Sequence, residues 1–215
     1  MPHNHHHHGT GHQCEAESTS ADQDNVLEMG IQYSLFKKID TENLECLNEA
    51  EENSGKKVFK AYENRLDFGD FVESDCDQEL IFNIPFTGNV KLKGIVIIGN
   101  NDETHPKKMR LFKNREKMTF DDVTMQADQE FPLEKDPTGT LEYSTKVVAF
   151  SSVHHLTIHI PTNYGGETTR VYYIGLKGEF FERHHHGVTI CTYESRPNVS
   201  DHKNNLFDSV NHAIQ

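Results

Sequence analysis

The segment Glu73-Ser74-Asp75-Cys76-Asp77-Gln78-Glu79 carries four carboxylates, Glu73, Asp75, Asp77 and Glu79. If the strand that follows starts early, alternation projects Asp75, Asp77 and Glu79 together, where they can bind lysine or arginine on a partner. The competing reading is structural: such acids accept backbone N–H groups, cap turns and hold the loop that leads into the strand. Acid–base catalysis would also need a pocket and two carboxyls with separated pKa values, and the pattern supplies neither.

Fifteen histidines raise a metal hypothesis. His155 and His159 share one face of a predicted strand but lie roughly 13 Å apart at about 3.3 Å per residue, too far for one ion with bonds near ~2 Å, and His154 faces the other way. His184, His185 and His186 are consecutive and can hold zinc, nickel or copper adventitiously, with no cysteine or carboxylate nearby to complete a tetrahedron. His3 and His5 to His8 make the amino terminus a loose metal binder, and Pro2, lacking an amide hydrogen, excludes a tight amino-terminal copper site. No metal and no cofactor is expected.

Nucleophilic arrangements are equally thin. No G-x-S-x-G elbow, phosphate loop or H-E-x-x-H helix occurs. Cys14, Cys46, Cys76 and Cys191 are scattered without a C-x-x-C pair, so reduced thiols are expected, with Cys46 on a helix and Cys191 in a strand as core residues. The chain is expected not to be an enzyme. At the carboxy-terminal end Leu206, Phe207, Val210 and Ile214 recur at helical spacing behind Asn204 and Asn205. The segment is too short to be a stable helix in water, but a partner groove can fold it, with His212 reaching into the partner's site.

The elements that position these residues are mostly strands. Residues 1–26 are polar, histidine-rich and then acidic, and are expected to be disordered. Ile39, Asp40, Leu44 and Leu47 have the spacing of one short capped helix, broken at Asn53-Ser54-Gly55. From Leu80 the period becomes two, giving strands at Glu79–Ile84, Val90–Ile98, Lys108–Phe112, Glu130–Leu133, Thr140–Ser144, His154–Ile160, Thr169–Leu176 and Val188–Tyr193. Turn residues separate them, among them Thr87-Gly88-Asn89, Asp136-Pro137-Thr138-Gly139 and Asn163-Tyr164-Gly165-Gly166.

About eight short strands without long helices predict an all-β, antiparallel β-sandwich of jelly-roll or galectin-like type, with one short amino-terminal helix and disordered tails. Leu80, Phe82 and Ile84, then Leu92, Val96 and Ile98, then Leu156, Ile158 and Ile160 should face a shared core, and Lys91, Lys93, His155, Thr157 and His159 should point outward. The body is predicted over 27–193, and 194–215 is a mobile tail.

Charge narrows the partners. The formal net charge is −13, and Glu15 to Glu79 alone holds 18 acidic and 6 basic residues. Such a surface repels phosphate backbones and anionic lipid, so neither nucleic acid nor a membrane is expected, and a basic protein surface is favoured. No run of about eighteen apolar residues occurs and no secretory signal is read at the amino terminus, so the cytoplasm or nucleus is the expected location. Asn198-Val199-Ser200 is then an uninformative glycosylation match.

Several ordered stretches resemble one known family: Ile39-Asp40, Leu44-Glu45-Cys46-Leu47-Asn48, Phe71 through Leu80, Ile84-Pro85-Phe86, Val90-Lys91-Leu92, Leu111-Phe112-Lys113-Asn114 and Tyr173-Ile174-Gly175-Leu176-Lys177-Gly178. Together they are similar to the PITH domain, named for the proteasome-interacting carboxy-terminal module of a thioredoxin-like protein. The likeness covers about Leu27 to Tyr193 and is nearest to the stand-alone members, in which a histidine-rich amino terminus also precedes the domain. It implies a galectin-like or jelly-roll sandwich and association with the 26S proteasome. It brings no redox chemistry, because the thioredoxin domain with its C-x-x-C pair is absent.

The function expected is therefore a non-catalytic protein-binding module, an adaptor or regulator of the 26S proteasome. Its contacts would be Glu73, Asp75, Asp77 and Glu79 together with Leu206, Phe207, Val210 and His212. The alternative is a lectin-like small-ligand or carbohydrate-binding β-sandwich; the chain has no tryptophan to stack on a sugar, although Tyr172 or Tyr173 can substitute.

Overall fold

The computed structural model describes residues 33–182. The expected strand at 188–193, the histidines at 184–186, the amino-terminal segment 1–26 and the tail from 194 lie outside the described residues. Within them the strands are β1 (Glu45–Leu47), β2 (Val72–Glu73), β3 (Leu80–Gly99), β4 (Lys108–Lys113), β5 (Gln129–Pro132), β6 (Tyr143–Ser144), β7 (Val153–Ile160) and β8 (Arg170–Phe181). One short helix, α1, spans Ser54–Lys57.

Every pairing is antiparallel, and the strand order β2-β8-β3-β7-β4-β5 turns on β3. Its first half, Leu80 to Pro85, pairs with β7 and β1, and its second, Asn89 to Gly99, pairs with β8 and β6. One long strand therefore serves both layers of a sandwich. The Thr87-Gly88-Asn89 stretch, read from sequence as a turn between two strands, is instead a bend inside one. Extended pairing carries through it, with Phe86 bridging Ile39 and Asn89 opposite Phe181. Gly88 is required at the bend because a Cβ there would lie 2.7 Å from the ring of Phe180.

The core fills the space between the layers. Leu80, Phe82, Ile84, Leu111, Leu156 and Ile158 from one inner face pack on Leu92, Ile95, Ile97, Ile174 and Leu176 from the other. Alternation thus places most of the expected residues, but not Val96 and Ile98, which pack with Tyr62 and Tyr173 on the outer face. The cause is a β-bulge: Leu92 pairs with Gly178 and Gly94 with Lys177, so Lys93 is an extra residue and the parity of the strand flips beyond it.

Two further expectations are corrected. His155, Thr157 and His159 do point away from the main core, but they are buried. The chain after β4 folds back over them, and Ile81, Phe112, Met118 and Val123 make a satellite cluster there. Asn83 ties it down, donating to the Met118 carbonyl (3.0 Å) and accepting from the Met118 amide (3.2 Å) and from Thr157 Oγ1 (3.0 Å). The short helix is displaced as well. Asp40 accepts from the amide and side chain of Asn43 and so caps a turn, after which residues 45–47, Cys46 among them, join β3 as a strand. The helix begins where a breaker was read: Glu49 accepts from the amides of Asn53 (2.6 Å) and Gly55 (2.7 Å), supplying from the preceding turn the cap that the Asn53 side chain does not make.

Candidate functional site

The acidic segment leaves β2 and enters β3 as a tight loop organised by Asn48, whose backbone is left-handed. Its side chain accepts from the Cys76 amide (3.1 Å) and donates to Asp77 Oδ1 (2.9 Å) and the Glu79 carbonyl (2.7 Å). Asp77 Oδ1 also accepts from the Glu79 amide (2.8 Å). Glu73 accepts from Thr168 (2.7 Å) and Arg170 (2.7 Å); burial opposes its ionisation, yet these donors hold its pKa below the ordinary value. Glu79 contacts His159 Nε2 at 2.5 Å. Three of the four expected partner-binding carboxylates are therefore engaged within the fold, and among the described residues the carboxylate of Asp75 accepts only from the thiol of Cys76.

Beside Glu73 the structure reveals a surface that the sequence had not marked as a site. The loop between the 3-10 turn Tyr62–Asn64 and β2 exposes Leu66 (48 %), Phe68 (49 %) and Phe71 (37 %). The rings of Phe68 and Phe71 stand edge-on to Tyr172 of β8, with centroids 5.1 Å and 5.9 Å away. The guanidinium of Arg170, fixed by Glu73, lies 4.9 Å over the Phe71 ring. The loop itself is held: Lys60 donates to the carbonyls of Asp67 and Asp70, and Asp67 accepts from the Gly69 amide at 2.9 Å. The result is a preorganised aromatic patch bordered by Asp67, Asp70 and Glu73. Its sequence signal was Leu66-Asp67-Phe68-Gly69-Asp70-Phe71, in which large apolar residues alternate with turn formers and acids, a pattern unsuited to a core strand.

The remaining chemistry-bearing residues are dispersed. Among the described residues no three His, Cys, Asp or Glu side chains converge on a possible metal position. Cys46 is partly buried against the core, and burial pushes its thiol well above the ordinary value. His105 is buried in a neutral, satisfied state: Nδ1 lies 2.7 Å from the Pro106 carbonyl, and Nε2 accepts from the Asp136 amide at 3.0 Å. Desolvation lowers its pKa. A cleft of about 640 Å³ opens between Gln78, Lys107, Glu130, Phe131, Thr162 and Asn163. Leu206, Phe207, Val210 and His212 lie outside the described residues.

Comparison with known proteins agrees with this architecture. Residues 25–197 match the family described as "PITH domain". The chain is 62% identical over 215 residues to a PITH domain-containing protein of Drosophila pseudoobscura pseudoobscura, covering 100% of both chains. It is 51% identical over 214 residues to PITH domain-containing protein 1 of Homo sapiens, again covering 100% of both. Among solved structures it is similar to the CBM32-1 and CBM32-2 domains of Clostridium perfringens ZmpB in complex with GalNAc, with a TM-score of 0.54 at 9% identity over 74% of this chain and 39% of that one. At that identity the likeness speaks to the β-sandwich fold alone.

Proposed function

Because the chain belongs to the PITH domain family, we propose that it is a non-catalytic protein-binding module that associates with the 26S proteasome as an adaptor or regulator in the cytoplasm or nucleus. The observation that carries the protein-binding part is the rigid, solvent-facing cluster of Phe68, Phe71 and Tyr172 with Arg170 stacked on it. Aromatic and arginine side chains dominate binding energy at interfaces, and a surface already held in place loses little entropy on docking. The acids at its border favour a basic partner surface. The identity of the partner rests on the family resemblance. Affinity purification of the tagged full chain from cells, followed by mass spectrometry, tests it: proteasome subunits should be recovered, and recovery without them rejects the proteasome as partner. Deletion of 204–215 should weaken the association without moving the melting temperature if the tail contributes contacts.

A lectin-like reading has one specific support, the cleft of about 640 Å³ that combines Phe131 with hydrogen-bonding Gln78, Thr162 and Asn163. A glycan array on the full chain separates the two, since the protein-binding reading expects no glycan hit.

A further inference from the structure

We propose that a second surface, sharing no residue with the aromatic patch, binds a peptide segment bearing lysine or arginine. It is a groove made of two hollows that adjoin at Asn43, Glu45 and Lys117. The first, about 420 Å³, is walled by Glu42, Glu49 and Glu52 beside Lys56. The second, about 260 Å³, is walled by Asp40, Glu116, His154 and His155 over Pro85 and Phe86.

Six carboxylates therefore face two lysines along one channel. Two of the six have internal partners, Glu49 at the start of α1 and Asp40 at the Asn43 turn, and Lys56 donates to the Glu42 carbonyl. Glu42, Glu45, Glu52 and Glu116 form no ion pair among the described residues.

Acids alone are common on a solvated face. His155 is what marks this one as a site: it is only 6 % exposed, it lines the second hollow, and its Nδ1 is buried with no hydrogen-bond partner among the described residues. Native structures rarely leave such a group unpaired, and because Nδ1 is shielded from solvent, a donor in the hollow relieves it by turning the ring toward itself. Burial also favours the neutral ring, which keeps an acceptor lone pair. An acceptor imidazole beside free carboxylates suits ammonium or guanidinium, which donate and never accept. Pro85, Phe86 and Leu44 give the alkyl stem an apolar floor. Because no three ligating side chains converge among the described residues, a molecular cation fits where a metal ion does not. Two hollows call for two basic residues on one extended segment.

The test is an NMR titration of the full chain with a short peptide alternating lysine and alanine, and with the same peptide acetylated on every lysine. The amides of Asn43, Glu45 and Lys117 and the ring of His155 should shift with the first peptide and stay still with the second. Glu45→Gln with Glu116→Gln should weaken binding about tenfold, as for two exposed ion pairs. Glu103→Gln with Glu167→Gln, which changes charge equally on exposed residues outside the groove, should leave binding unchanged. Shifts spread over the acidic surface, or equal losses in the two double variants, would overturn the proposal. Proteasome recovery bears only on the previous reading, so either can fail alone.

Discussion

Glu79 Oε1 lies 2.5 Å from His159 Nε2, joining the last acid before β3 to the covered outer face of β7. On the other side of the ring Arg110 Nη1 stands 3.5 Å from Nδ1. A guanidinium only donates, so Nδ1 accepts and the proton sits on Nε2, aimed at the carboxylate. Glu79 thus acts as a clasp between the acidic loop and the sheet. Glu79→Ala should lower unfolding free energy by about 1.5–3 kcal/mol, the range for a hydrogen bond to a charged group. Glu79→Gln keeps an acceptor and should cost less. Urea denaturation measures both, and equal losses would show that charge, not the accepting oxygen, is what matters.

Buried histidines set the acid limb of stability. Desolvation lowers the pKa of His105, His155 and His159 below the ordinary value of 6.5. The unfolded chain then binds protons that the folded one refuses, so stability is full above pH 6.5 and falls as pH drops below it toward the folded-state values. Glu73 and Asp136, whose pKa values are also lowered, lose their contribution only at more acidic pH, below the ordinary carboxylate range. Melting temperature should therefore decline between about pH 7 and pH 5, before the carboxylates titrate. A flat or rising profile over that interval would contradict the neutral assignment.

How far the sequence carried can be argued from β3 and β7. Alternation located Leu80, Phe82, Ile84, Leu156, Ile158 and Ile160 in the core because each stretch is regular over several residues. It failed at Val96 and Ile98 because a single bulged residue, Lys93, inverts the parity, and no local residue type announces a bulge. It failed again at His155, Thr157 and His159, whose cover comes from a segment beyond β4. The aromatic patch escaped notice because its parts are distant in sequence: the pattern of Leu66 to Phe71 marks a loop, and Tyr172 and Arg170, which complete the surface, come from β8. The bonds of Glu73, Asp77 and Glu79 are long-range apart from the Asp77 cap on the Glu79 amide, two residues away, which turn chemistry made legible.

Cys76 is exposed, yet the hydrogen bond and charge of Asp75 raise its pKa, with the thiol 3.4 Å from the carboxylate. Asp75→Asn should increase the rate of iodoacetamide labelling at Cys76 several-fold near pH 8, because more thiolate is present. Cys46, desolvated by the core, should label slowly in both proteins until they unfold. Mass spectrometry of the labelled peptides distinguishes the two sites.

Gly55 sits at the start of α1 against β1, where a Cβ would fall 2.3 Å from Cys46 Cβ and 2.8 Å from its sulfur. Helix propensity favours alanine over glycine by about 1 kcal/mol. Overpacking against a core-facing side chain costs about 1–3 kcal/mol and has no flexible group to absorb it. The clash should win, so Gly55→Ala should lower the urea midpoint; a raised midpoint would show that α1 can move away from β1 freely.

The aromatic patch makes the sharpest demand on the functional reading. Phe68 and Phe71 are more than a third exposed yet bury the rest of their surface against Tyr172 and the loop, so replacing either with alanine should lower the melting temperature by several degrees and leave the protein folded. If the patch is where a partner docks, the same substitutions remove hot-spot contacts worth about 2 kcal/mol or more, which is roughly a thirtyfold loss of affinity. Arg170→Ala should act with them, because the guanidinium that stacks on Phe71 is the one Glu73 holds. Quantitative recovery of co-purifying proteins from cells expressing each variant decides it. Loss of the same partners in all three, with each variant still folded by its melting curve, locates the docking surface, and undiminished recovery in all three removes the patch from the account.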